Sequence, residues 1–108
     1  MWKKFKNIFE GLDRAYGQYK SGDPNSNGKL GGQAFIRKDM VHDSLWIKHL
    51  EGEEPGLGII PITDASMCRW GCIDVDTYPL DHKEIIKNIQ KLKLPLVMCR
   101  SKSGGAHL

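Results

Sequence analysis

The stretch "RWGCIDVDTYPLDHKE", residues 69–84, places Asp74 and Asp76 one residue apart at the end of an apolar run. Residues two apart in a β-strand project from the same face, so a strand over 69–76 would direct both carboxylates to one side. Two like charges held together are unfavourable unless something positive lies between them. The pair therefore predicts a divalent metal site. The alternative is a solvated strand end, with Asp76 capping the turn that follows.

Carboxylate oxygens suit hard cations such as Mg²⁺ or Mn²⁺. Two such ions, about 3.5–4 Å apart, can stabilise the attacking and leaving oxygens of a phosphoryl displacement. The position at the carboxyl end of a strand favours the metal interpretation, because open α/β sheets form their ligand crevices at that edge.

Hydrophobic periodicity predicts an α+β fold, with an α/β-type mixed sheet and one right-handed strand–helix–strand crossover. Asp43 or Ser44 is predicted to cap the second helix and Asp81 the third. The predicted helices are 2–20, 45–50 and 82–93. The predicted strands are 33–38, 57–63, 69–76, 94–100 and a strand start at 106–108. The Gly- and Asn-rich segment "SGDPNSNGKLGG" (21–32) predicts a flexible loop.

The last ten residues, "CRSKSGGAHL" (99–108), combine cations, hydroxyls, glycines and a histidine after an apolar run. Glycines let a backbone approach phosphate closely, while hydroxyl and cationic side chains donate hydrogen bonds to it. His107 is a further candidate donor to a phosphate oxygen. The alternative is a hairpin turn with solubilising residues. A Walker loop is excluded, since the G-K-[ST] ending is missing.

Composition argues against a membrane-spanning, a secreted or a disulfide-stabilised protein. The chain of 108 residues has a net charge of +3 and 40% hydrophobic residues. No apolar run approaches the ~20 residues of a membrane span, and a secretory signal is not recognisable. Three cysteines cannot form a closed disulfide framework, which favours a reducing, cytoplasmic setting. A structural zinc site on Cys68, Cys72 and the distant Cys99 would need a fourth ligand, for which His82 or His107 are candidates. Because no second knuckle accompanies the Cys68–Cys72 spacing, buried free thiols are predicted instead.

Taken together, "GCIDVD" (71–76) and "SKSGGAHL" (101–108) resemble the first two motifs of the archaeo-eukaryotic primase superfamily. That family's first motif is a hydrophobic strand ending in Asp-x-Asp or Asp-x-Glu. Its second is a Ser-x-His-type turn, often with glycines before the histidine. The likeness is greatest to primase domains of phages and of TOTE conflict systems, which carry a helix similar to "IFEGLDRAYGQY" (8–19) and a strand similar to "LGIIPI" (57–62) upstream of the aspartates.

The resemblance implies a DNA primase or primase-polymerase, a nucleotidyltransferase of DNA replication. It implies catalytic Mg²⁺ or Mn²⁺ on Asp74 and Asp76, with His107 catalytic beside them. It implies nucleoside triphosphates, a single-stranded DNA template and a helicase domain or subunit as partners. The lack of a long apolar run predicts no membrane partner. The nucleotide-binding residues would be Ser101, Lys102, Ser103, Gly104, Gly105 and His107. Ser101 takes the serine position in the longer form of the motif, with Ala106 replacing an aromatic residue, and Ser103 fits the shorter form.

One family feature has no counterpart in these residues: the third motif, an acidic residue on a later strand. Residues 1–108 are therefore expected to form a single partial domain, the front part of a primase catalytic domain that is inactive alone. Two other functions stay open. One is a non-catalytic nucleotide- or nucleic-acid-binding module. The other is a metal-dependent nuclease or phosphohydrolase using the same aspartates.

Overall fold

The computed structural model describes residues 1–26, 30–101 and 103–108. This part of the chain contains three α-helices and two three-stranded antiparallel sheets, which makes the fold α+β. The chain divides into two compact units, Met1–Gly71 and Cys72–Leu108. The expectation of one partial domain over 1–108 stays a prediction.

The first unit joins two helices and one sheet. Its helices are α1 (Trp2–Phe9) and α2 (Asp43–Leu50), and its strands are β1 (Tyr16–Pro24), β2 (Leu30–Arg37) and β3 (Gly56–Gly58). The sheet order is β2-β1-β3, with both neighbours antiparallel to β1. The predictions of a strand near 33–38 and a helix near 45–50 are confirmed. The strand predicted over 57–63 is shorter and ends at Gly58.

The predicted helix over 2–20 is wrong beyond Phe9. The chain leaves the helix to approach the backbone of Ile60, where the Leu12 amide donates to the Ile60 carbonyl at 2.9 Å. Gly11 permits this approach because a Cβ at its position would overlap the Ile60 oxygen. The three- and four-residue aromatic spacing continues to Tyr19, but tertiary contacts override it after the first two turns.

The flexible loop predicted over 21–32 is also wrong at both ends, since residues 21–24 belong to β1 and 30–32 to β2. Asn27, Gly28 and Lys29 lie outside the described residues. Glycine here serves packing: a Cβ on Gly32 would overlap the Tyr19 ring, so the absent side chain makes room for that ring. The ladder of backbone hydrogen bonds forms despite a composition that resembles a loop.

Aromatic side chains build the core of the first unit. Trp46 on α2 is 2% exposed, and the Phe5 ring of α1 meets it edge-on with centroids 6.1 Å apart. Phe9 packs edge-on against Trp70 at 5.5 Å, and the Trp70 indole N–H donates to the Phe9 carbonyl at 2.8 Å. The helix α2 starts with His42 as N-cap and has no side-chain capping bond, so the predicted Asp43 or Ser44 cap is wrong.

The second unit has short strands around one helix. Its elements are β4 (Asp74–Val75), α3 (His82–Lys91), β5 (Cys99–Arg100) and β6 (Ala106–His107), in the sheet order β4-β6-β5. The strands predicted over 69–76 and 94–100 therefore shrink to two residues each. The continuous apolar character of 94–100 indicates a buried strand, yet Val97 is 78% exposed. A short apolar run does not by itself specify a buried strand.

The predicted mixed sheet does not form, because the pairs β4–β6 and β5–β6 are both antiparallel. It follows that β4 and β5 run in the same direction with β6 between them, and α3 connects them. The Asp81 cap of α3 is confirmed: its carboxylate accepts from the amides of Lys83 and Glu84 at 3.0 and 3.2 Å. Four apolar residues of the predicted helix 82–93 are spaced to form one stripe. Of these, Ile85 and Ile89 are half-buried, while Ile86 and Leu92 are exposed.

The three cysteines are free, as predicted, but they are exposed rather than buried. Among the described residues, no helix is long and apolar enough to cross a membrane.

Candidate functional site

Asp74 and His107 lie directly opposite each other on β4 and β6. The adjacent residues Ile73 and Leu108 exchange both backbone hydrogen bonds at 2.9 Å, so Asp74 and His107 form the next, non-hydrogen-bonded pair. Side chains approach most closely at such pairs. The imidazole Nε2 is 3.4 Å from the Asp74 Oδ1 atom. The two motifs singled out in the sequence therefore meet on neighbouring strands.

The Asp74–His107 contact is open to solvent, with 61% of the carboxylate side chain and 51% of the imidazole exposed. At 3.4 Å the atoms are farther apart than in a tight hydrogen bond. An exposed ion pair contributes at most about 1 kcal/mol to stability. The carboxylate and the imidazole can therefore separate at little cost when a ligand binds.

Asp76 follows the end of β4 and is linked through Tyr78 to the serine–glycine turn, the segment between β5 and β6 that carries Ser101, Ser103, Gly104 and Gly105. The Tyr78 hydroxyl donates to Asp76 Oδ1 at 3.2 Å and lies 3.2 Å from the Ser103 hydroxyl. Ser103 Oγ is in turn 3.4 Å from Ser101 Oγ. A chain of polar contacts thus runs from the second aspartate to both serines that the sequence predicted to bind nucleotide.

Backbone bonds close the turn between β5 and β6. The Ser101 amide donates to the Gly105 carbonyl at 3.0 Å, and the Gly104 amide donates to the Ser101 carbonyl at 3.1 Å. Gly104 has a φ of +89°, which only glycine adopts without strain. Gly105 is buried, and a Cβ there would lie 2.5 Å from the Val75 carbonyl oxygen. Both glycines are needed for this turn to reach β4.

The side chain of His82, in the first turn of α3, contacts the same turn from another element. Its Nε2 atom lies 3.0 Å from the Gly105 carbonyl oxygen. Arg100, by contrast, pairs with the buried Ala106, one position along from His107. Successive strand residues point to opposite faces, so Arg100 lies on the face away from Asp74 and His107.

The site residues predicted from sequence therefore have different outcomes. Asp74 and His107 meet, and Asp76, Ser101 and Ser103 connect through Tyr78. Gly104 and Gly105 shape the turn, and the Gly105 carbonyl is occupied by the Ser101 amide. Lys102 lies outside the described residues. Their roles in binding metal or nucleotide stay predictions.

The sequence analysis did not assign three contributors to this acidic and phosphate-binding site: Tyr78, His82 and Cys99. Cys99 is paired with His107 from the other side, so the row Asp74–His107–Cys99 crosses all three strands on one face. Tyr78 follows Asp76 by two residues, and His82 begins a capped helix. Their role arises from the return of the chain at residues 99–107, which local pattern does not reveal.

The donor set fits a hard divalent cation in part. Asp74 and Asp76 offer carboxylate oxygens, the ligands that Mg²⁺ and Mn²⁺ prefer. The contacts described above use Oδ1 of each carboxylate. Within residues 1–26, 30–101 and 103–108, however, no three His, Cys, Asp or Glu side chains are grouped so that they could hold a metal ion. Two carboxylates alone predict weak binding.

A scan of the chain against protein-family models found no match, and searches of curated proteins and of solved structures found none either.

Proposed function

We propose that residues 72–108 form the metal- and triphosphate-binding part of a DNA primase or primase-polymerase centre. The proposed reaction is template-directed nucleotidyl transfer with Mg²⁺ or Mn²⁺. The observation that supports it best is the register of Asp74 against His107, because it brings one of the two aspartates and a candidate phosphate donor together on one exposed face of the sheet.

The proposed chemistry joins two nucleotides. A 3′-hydroxyl oxygen attacks the α-phosphorus of a nucleoside triphosphate, and the bond to the α–β bridging oxygen breaks. Pyrophosphate leaves, and the hydroxyl proton passes to water. When bound, divalent cations would neutralise charge on the attacking and leaving oxygens. Asp74 and Asp76 would supply carboxylate oxygens to them. His107 would donate a hydrogen bond to a phosphate oxygen, together with the hydroxyls of Ser101 or Ser103.

The proposed partners are nucleoside triphosphates, a single-stranded DNA template and a helicase domain or subunit. The proposed location is the cytoplasm, where exposed free thiols such as Cys68, Cys72 and Cys99 persist. A second candidate function is a non-catalytic module that binds nucleotide or nucleic acid. It is favoured by the lack of a three-ligand metal group among the described residues.

Metal binding tests the proposal on the chain itself. Mn²⁺ is titrated into the protein in the presence of ATP, and the free ion is followed by its paramagnetic resonance signal. We expect saturable binding that is weakened at least ten-fold by Asp74→Asn and by Asp76→Asn. Asp23→Asn, which changes an exposed carboxylate of β1, is the matched control and should leave binding unchanged. Unaltered Mn²⁺ binding in both site variants would refute the metal assignment.

Catalysis is tested with the full-length product of the gene on a single-stranded template. Extension that depends on template, divalent metal and both aspartates supports the primase. Cleavage of labelled DNA without extension supports the nuclease. If nucleotide or DNA binds equally well to the unmodified protein and to Asp74→Asn, and neither extension nor cleavage occurs, the non-catalytic module is supported.

A further inference from the structure

We infer that Tyr78 is a positioning residue of the proposed site, which ties the serine–glycine turn to Asp76 and orients the Ser103 hydroxyl. This role rests on the proposed function. Tyr78 belongs to neither motif that the sequence singled out. Its phenol oxygen nevertheless lies 3.2 Å from Asp76 Oδ1 and 3.2 Å from Ser103 Oγ, and so bridges the two.

The ionised carboxylate fixes the direction of this chain of contacts. A carboxylate only accepts hydrogen bonds, so the single phenol proton points to Asp76. The Tyr78 oxygen must then accept from Ser103, and Ser103 Oγ must accept from Ser101, 3.4 Å away. Each hydroxyl therefore donates towards Asp76. A phosphate oxygen also only accepts, so the Ser103 proton has to turn away from Tyr78 before it can reach a phosphate.

The contacts are long enough for the Ser103 proton to turn from Tyr78 to a phosphate oxygen at little cost. Hydroxyl hydrogen bonds are usually about 2.7–2.8 Å long. The three contacts here are 3.2, 3.2 and 3.4 Å, so each is weak. A cation that takes Asp76 would compete with the phenol for the carboxylate. The Tyr78 proton could then rotate towards Ser103 Oγ, which leaves the Ser103 proton for the triphosphate.

The surroundings keep the phenol in place. A Cβ on Gly105 would lie 3.1 Å from the Tyr78 oxygen and 3.2 Å from Ser101 Oγ, so the glycine leaves just enough room for both groups. Tyr78 as a residue is 53% exposed. Removal of the hydroxyl alone should therefore loosen the turn without unfolding the unit.

Tyr78→Phe tests the role, with Tyr16→Phe as the matched control for loss of a phenol hydroxyl elsewhere. Amide exchange of Ser101 and Gly104, whose N–H groups close the turn, should be about five-fold faster in Tyr78→Phe, the size of one neutral hydrogen bond. The affinity for Mg²⁺–ATP should fall by about the same factor. Circular dichroism should stay unchanged.

A double-mutant cycle with Ser103→Ala separates positioning from a general structural effect. Because Tyr78 acts on the ligand through Ser103, Tyr78→Phe should weaken Mg²⁺–ATP binding no further in the Ser103→Ala background. Additive losses would overturn the inference. So would exchange rates equal to those of the Tyr16→Phe control.

Failure of the proposed function gives a different result. If the unmodified chain does not bind Mg²⁺–ATP while Tyr78→Phe still accelerates exchange at Ser101 and Gly104, then Tyr78 is a structural tie only. That outcome overturns the positioning role and the nucleotide site together. Nucleotide binding that is equal in the unmodified chain and in Tyr78→Phe overturns the role of Tyr78 and leaves the site standing.

Discussion

His107 Nε2 lies 3.4 Å from Asp74 Oδ1 because the two residues are directly opposed on antiparallel strands β6 and β4. The residues are 33 positions apart in the chain. Between these two residues the chain runs from β4 through α3 and β5, and then through the serine–glycine turn to β6. It is exposed on one face of the sheet, where a ligand can reach both groups.

Because this pair is exposed, we expect His107→Gln to lower ligand affinity while it leaves the free energy of unfolding nearly unchanged. Loss of this solvent-exposed contact should change the free energy of unfolding by less than about 1 kcal/mol, the upper range for exposed ion pairs. The affinity for Mg²⁺–ATP, measured by calorimetry, should nevertheless fall about ten-fold through loss of a charge-assisted hydrogen bond. His42→Gln, at the exposed N-cap of α2, is the control. Equal affinities in the two variants would remove His107 from the site.

Gly105 should not tolerate a side chain, whereas Gly71 should tolerate one. A Cβ at Gly105 meets the Val75 carbonyl oxygen at 2.5 Å, while nothing lies within 4 Å of a Cβ at Gly71. Gly105→Ala must push β6 away from β4, and overpacking of this kind costs about 1–3 kcal/mol. The NMR spectrum of Gly105→Ala should lose the cross-strand NOEs between Asp74 and His107 that report their pairing. An unchanged spectrum would show that the strands pair differently.

The Arg14–Asp64 pair gives the first unit a predicted dependence on pH. Arg14 Nε lies 2.9 and 3.0 Å from the two Asp64 oxygens, and this hydrogen bonding holds the pKa of Asp64 below its ordinary value. Because the folded-state pKa is lowered, the stabilisation is present above the ordinary carboxyl pKa and is lost as pH falls through the lowered one. A carboxyl ¹³C titration should show Asp64 moving back to its ordinary pKa in Arg14→Gln. No movement would contradict the ion pair.

Trp46 is the residue on which the first unit depends most. It is the largest fully buried side chain found in the described residues, and Trp46→Ala should lower the free energy of unfolding by about 3–5 kcal/mol. Trp46→Phe should cost much less, because the Trp46 indole N–H has no hydrogen-bond partner among the described residues and its removal relieves a buried unsatisfied donor. Denaturant unfolding followed by circular dichroism measures both. Trp2→Ala, which changes a half-buried residue of α1, is the control and should have the smaller effect.

Local chemistry made some elements predictable. The helix α3 starts where Asp81 can accept from two backbone amides, and such a cap is visible in sequence. The turn before β6 was also predictable from local sequence, because Gly104 can adopt the positive φ that the turn requires. Elements whose backbone bonds go to distant partners were not predictable in this way. Residues 21–24, with the composition of a loop, pair with β2, and the aromatic periodicity after Phe9 gives way to β1.

Composition and spacing by themselves determined the α+β class, the acidic pair at 74 and 76, and the hydroxyl- and glycine-rich turn before His107. Only the tertiary structure decided that His107 returns opposite Asp74, that Tyr78 bridges Asp76 to Ser103, and that Arg100 lies on the other face. The physical reason is strand register. A shift of one residue between β4 and β6 would reverse the face of every side chain. That register is set by backbone hydrogen bonds and by the close fit of Gly105 against Val75, which no single segment contains.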